Sequence, residues 1–177
     1  MMKICWAVKA CAISLLWLTC SVHAQALTIK PLRDITSIKL EDMEIALVNT
    51  VVNTNNAHPI EIISFFVPNS TGIATQLTFE MNNDYVPYLA LRSGADCAIS
   101  GARIMRFHNQ LRIVFASRKG DWSEKMQTDF IIFELKKNDD DMPGTPNIYF
   151  KQLRKISTKS SYCDVNAALD KESKLYQ

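Results

Sequence analysis

The stretch Ala102-Arg103-Ile104-Met105-Arg106-Phe107-His108-Asn109-Gln110-Leu111-Arg112-Ile113-Val114-Phe115-Ala116-Ser117 decides the fold. Two runs rich in apolar and β-branched residues flank the pair His108-Asn109. Two residues between such runs are the signature of a β-hairpin. Asn109 tolerates the positive φ that a tight hairpin turn requires. The same pattern extends both ways along the chain. Towards the C-terminus, Gln127 to Leu135 predicts a long strand, the acidic and basic stretch Lys136–Gly144 a turn, and Asn147 to Arg154 a last strand. Towards the N-terminus, Ile45–Val52 and Ile60–Val67 predict strands separated by Asn53-Thr54-Asn55-Asn56-Ala57-His58-Pro59, whose residues favour a loop. Ile73–Phe79 alternates with period two, which argues for one buried face. Tyr85 to Leu91 continues the pattern, with Pro87 indicating an edge strand or a bulge.

Helix is expected once, at Cys163–Glu172, with Asp164 capping its start and Val165, Ala168 and Leu169 on the packed side. Seven or eight strands at regular spacing point to an all-β domain, an antiparallel β-sandwich, with a closed barrel as the alternative.

The first 24 residues have a different character. Lys3 and Lys9 precede an apolar run, Ala10 to Leu18, and Val22-His23-Ala24 supplies small residues at an A-x-A-like site. This describes a signal peptide over residues 1–24, cleaved after Ala24 or alternatively Ala26, and a periplasmic destination. The apolar run is too short to span a bilayer, which needs roughly 20 residues. Thr19 stands where a lipoprotein signal carries Gly, Ala or Ser, which argues against a cut before Cys20. The expected domain organisation is therefore a signal peptide followed by one β-sandwich domain over residues 25–177.

Removing that segment changes the physical character of the chain. Of 20 basic and 18 acidic residues, the two lysines leave with the signal, so the remainder is formally neutral. A neutral chain has no electrostatic basis for nucleic acid. It contains no second stretch able to span a membrane. Three of five cysteines also leave, and Cys97 and Cys163 remain. In an exported protein two cysteines most simply pair; the alternative is two buried thiols. Only His58 and His108 remain among the histidines, with no ligand pairs at zinc spacing.

The catalytic inventory is thin. There is no Gly-rich phosphate loop, no G-x-S-x-G elbow, and neither S-x-x-K nor K-T-G. The expectation is a protein without catalytic residues. Four features remain for binding. Asn56 and His58 sit in the Asn-rich loop, where amides and an imidazole can recognise a polar ligand or simply form Asx turns. Asp139-Asp140-Asp141 offers carboxylates to a hard cation, or a solvated turn. Ser100-Gly101-Ala102-Arg103 resembles the Ser-Gly core of periplasmic lysozyme inhibitors, although Ile104 stands where many of those motifs have tyrosine; the plain alternative is a turn leading into a strand. Trp122, in Gly120-Asp121-Trp122, is either a binding aromatic or a core anchor.

An ordered set of short motifs runs through the chain: Asn56-Ala57-His58, Ser64-Phe65-Phe66-Val67, Gly94-Ala95-Asp96-Cys97, Leu111-Arg112, Phe130-x-x-Phe133-x-Leu135, Asn138, Pro143-Gly144-x-Pro146, Tyr149-Phe150 and Tyr162-Cys163-Asp164-Val165. Taken in order, they resemble the CarG-like carbapenem intrinsic resistance proteins. The resemblance implies a periplasmic protein that protects a carbapenem-producing cell, by binding the drug or shielding its target rather than by hydrolysis. It further implies a β-sandwich with short terminal helices, a homodimer, and a partner that is either a carbapenem or a periplasmic protein. A fold related to inhibitors of lysozyme gives the alternative function, inhibition of a cell-wall hydrolase. No cofactor is expected. Members of the family often carry an Asp-Gly-Asp-Gly-type segment able to hold a cation. The matching stretch here is Lys39-Leu40-Glu41-Asp42-Met43-Glu44, without glycine, where Glu41, Asp42 and Glu44 remain as candidate oxygen ligands for a structural divalent cation.

Overall fold

The computed structural model describes residues 35–176, apart from 54, 56, 57, 73, 95, 108, 109, 121, 122 and 140. The expected signal peptide therefore lies outside the described residues, as do Asn56, His108, Trp122 and Asp140. The chain is all-β, as expected. Its strands are β1 (Ile35–Lys39), β2 (Glu44–Val52), β3 (Ile60–Val67), β4 (Thr75–Met81), β5 (Asp84–Val86), β6 (Leu89–Arg92), β7 (Ser100–Phe107), β8 (Gln110–Arg118), β9 (Met126–Lys137) and β10 (Ile148–Tyr162). One helix, α1 (Val165–Lys171), and a 3-10 turn at Ser173–Leu175 complete it.

The strands form a single curled sheet in the order β1-β2-β3-β4-β10-β9-β8-β7. The hairpin expected around residues 108–109 is β7–β8, in register from Ser100 opposite Ser117 to Phe107 opposite Gln110. One pairing departs from a strictly antiparallel arrangement. β10 runs parallel to β4, with Tyr149 beside Thr78 and Phe150 beside Phe79. Rings explain the choice. Phe79 and Phe150 stack with centroids 4.8 Å apart, and Phe65 and Phe133 close on them edge-on at 5.0 and 5.2 Å. These four rings join both halves of the curl into one core with Ile45, Ile63, Leu77 and Ile113.

Pro87 marks a change of partner. β5 pairs with β4, and β6 pairs with β3 over Ile60–Ile63, further along from where β3 meets β4. A residue without a backbone N–H stands where the chain leaves one ladder for the other. The Asn82-Asn83 turn between β4 and β5 has positive φ at both residues (53° and 65°), the geometry of a tight hairpin turn.

β8 and β9 are buried on both faces, which is why their sequences run apolar without a break. Ile113 and Phe133 face the main core. Val114, Ala116, Phe130 and Ile132 face the other way, against Val165, Ala168 and Leu169 of α1 and the ring of Tyr176. Asp164 caps α1, its carboxylate accepting from Asn166 N at 2.7 Å. Gly101 lets the helix lie close on β7. A Cβ there would meet Asn166 Oδ1 at 2.9 Å and a Val165 methyl at 3.2 Å. Cys97 and Cys163 are joined as a disulfide with Cα atoms 5.7 Å apart, tying the β6–β7 loop to the start of α1. Beside it, Val165 N donates to Ala98 O at 3.0 Å.

Candidate functional site

The curl brings β7 alongside β6, and the seam between them is laced irregularly. Ile99 N donates to Arg92 O at 2.8 Å and Gly94 N to Cys97 O at 2.7 Å. The Ser100 hydroxyl makes the remaining link, accepting from Arg92 N at 2.7 Å and donating to Ala90 O at 3.1 Å. A side chain thus stands in for a rung of the ladder.

Above this seam lies a cleft of about 340 Å³. Val51 and Pro59, at either end of the β2–β3 loop, form one wall; Leu91 of β6 and Ser93 just after it lie opposite Ser100 to Arg103 of β7. Glu61 of β3 and Asn166 of α1 complete it. Cavities of this size accept small molecules or single side chains of a partner. Two stretches singled out from the sequence therefore converge: the Asn-rich loop, through Pro59 next to His58, and Ser100-Gly101-Ala102-Arg103. Asn56 lies outside the described residues. Glu61 and Asn166 carried no motif. The available signal for Glu61 was strand alternation, because it shares a face of β3 with Ile63 and Phe65, which are 5% and 0% exposed.

The cleft's charges are arranged simply. Arg103 pairs with Asp170 of α1 at 2.8 Å and also donates to Asn166 Oδ1 at 3.2 Å. Glu61 accepts from Asn49 Nδ2 at 2.6 Å.

A second depression, of about 280 Å³, lies where the β1–β2 turn covers the ends of β8 and β9. Asp42 and Asp139 line it. Asp42 is engaged by Lys137 at 2.5 Å, and the hydrogen bond and charge of the ammonium hold its carboxyl below the usual range. Glu44 accepts a hydrogen bond from the Ser37 hydroxyl, and Glu41 is exposed. Among the described residues no three His, Cys, Asp or Glu side chains come together as a metal site. Nor is any described helix long and apolar enough to cross a membrane. Next to this depression Glu134 is buried, held by Arg112 at 2.8 Å and Lys136 at 2.7 Å. Burial raises its carboxyl, but the hydrogen bonds and charges of Lys136 and Arg112 outweigh it and hold the group below the usual glutamate range.

No curated protein matches the chain. A crystal structure of CarG is similar in fold, with a TM-score of 0.65 at 17% identity, over 78% of this chain and 88% of that one. The model of the family described as carbapenem resistance protein CarG-like matches residues 33–171. With the match spanning nearly every described element from β1 through α1, the chain belongs to the CarG-like family of carbapenem resistance proteins.

Proposed function

We propose that this protein confers intrinsic resistance to a carbapenem in the periplasm of a producing cell, acting by binding and not by chemistry on the drug. The observation that carries the reading is the state of Ser100. Of the two serines in the described lining, Ser93 and Ser100, it is the one in the Ser-Gly motif. Its proton is directed to Ala90 O and its lone pair to Arg92 N, so the backbone of β6, and not a general base, is its partner. The disulfide supports export to an oxidising compartment. A homodimer belongs to the same reading and is checked by sedimentation of the purified chain.

Two measurements test the proposal. Deleting the gene in a producing strain should raise its sensitivity to the carbapenem; unchanged sensitivity overturns the resistance role. Incubating purified protein with the drug should leave the ring chromophore intact; loss of absorbance with turnover overturns the non-catalytic part. Inhibition of a lysozyme through Ser100 would need that residue on a protruding loop. Here it opens β7 with its hydroxyl bound to β6, so we do not adopt that alternative.

A further inference from the structure

We infer that the cleft between β3, β6 and β7 binds an alkylammonium group, a protonated amine on a short apolar stem, with Glu61 as its counter-ion; this rests on the cleft being the functional site. Glu61 occupies an inward position of β3, in line with the buried Ile63 and Phe65, where the core opens into the cleft. A carboxylate there is half-buried and is held by Asn49. Asn49 donates its amide N–H to Glu61 and leaves its own buried Oδ1 without a hydrogen-bond partner. An unsatisfied buried acceptor is costly, so the local structure favours a fixed Glu61 over a satisfied Asn49.

No cation among the described residues pairs with Glu61, although Arg103 lines the same cleft. The guanidinium is directed instead to Asp170 and Asn166. Among the described residues of the lining, Glu61 and Arg103 are the ionisable ones, and Asp170 neutralises the second, which leaves that lining with one net negative charge. The Ser100 hydroxyl already has its partners, so it has no proton to offer a ligand. Val51 and Leu91 flank Glu61 on the neighbouring strands and Ala102 lines the same cleft, an apolar surface that suits methylene groups. The occupant must supply the donors and the positive charge. An anion, such as the ring carboxylate of a carbapenem, would have to displace Asp170 from Arg103 and sit beside Glu61. The fitting ligand is an amine, either free or as a lysine side chain, and protection would then act on an amine-bearing partner and not on the free drug.

Titration of the ¹⁵N-labelled protein tests this with four probes: n-pentylammonium, lysine blocked at both ends as an N-acetyl N-methylamide, pentanoate, and a carbapenem. Both amines should give saturable shifts at the backbone amides of Glu61, Ala98 and Ala102, and the two anions should not. Glu61→Gln, which keeps the acceptor for Asn49, should weaken amine binding about tenfold or more with the rest of the spectrum unchanged. Tighter binding of the blocked lysine assigns the site to a lysine side chain, and tighter binding of pentylammonium to a free amine. Absence of saturable amine shifts, equal shifts with pentanoate, or unweakened binding by Glu61→Gln overturns the inference. A carbapenem that binds there overturns it too while strengthening the resistance reading, so the two can fail separately.

Discussion

Ser100 and Gly101 stood out in the sequence as a short motif with a binding flavour, and both have structural tasks. Ser100 completes the β6–β7 seam, and Gly101 admits α1 onto β7. Replacing Ser100 by alanine leaves the Arg92 N–H without its acceptor and should cost about 1–3 kcal/mol of stability in urea unfolding. The cleft was partly legible, because the Asn-rich loop and the Ser-Gly stretch border it. Glu61 was not, because a single acid within an apolar strand signals nothing until the direction of its face is known. Glu134 is a similar case, an acid inside an apolar strand, and it makes a pH prediction. Its folded carboxyl is held below the usual value near 4.5, so the stability it contributes is present above that value and is lost as pH falls through the folded one. Glu134→Gln should therefore lower the urea midpoint at pH 7, and the gap from the native protein should close in acid.

Elements were legible where their signals are local. β3 matches the expected Ile60–Val67, and α1 follows its cap at Asp164 and buries the three residues expected of it. β1 was missed; it is a five-residue edge strand, largely exposed, with little apolar pattern to betray it. β10 continues eight residues past Arg154, through polar sequence that alternation cannot identify. It does so with register shifts near Leu153 and Thr158. Thr158 repairs the second irregularity, its hydroxyl accepting from Thr128 N at 3.0 Å and donating to Ser160 O at 2.7 Å. The seven residues of α1 are too few to be helical alone, so the helix depends on packing and on the disulfide. The bond closes a separation of 66 residues, worth roughly 4 kcal/mol by chain entropy. Changing both cysteines to alanine should lower stability by about that amount, and hydrogen exchange should show the amide of Ala168 losing protection before those of β8.

At the scale of the molecule, the all-β class and the packing of two sheet portions about one core were readable, and the way they connect was not. A parallel pair leaves no turn between its strands, so nothing local announces that β4 and β10 meet. Only the stacked Phe79 and Phe150 fix the match. Phe150→Ala should therefore destabilise the whole fold by about 3–5 kcal/mol in a single cooperative transition, followed by circular dichroism during urea unfolding. The same pairing sets a timetable. Thr78 waits 71 positions for Tyr149, so a chain emerging N-terminus first can form its early hairpins but cannot close its core until almost all of it has emerged. The core therefore stays open until late, which would suit the proposed export, in which the polypeptide threads a narrow channel before it folds.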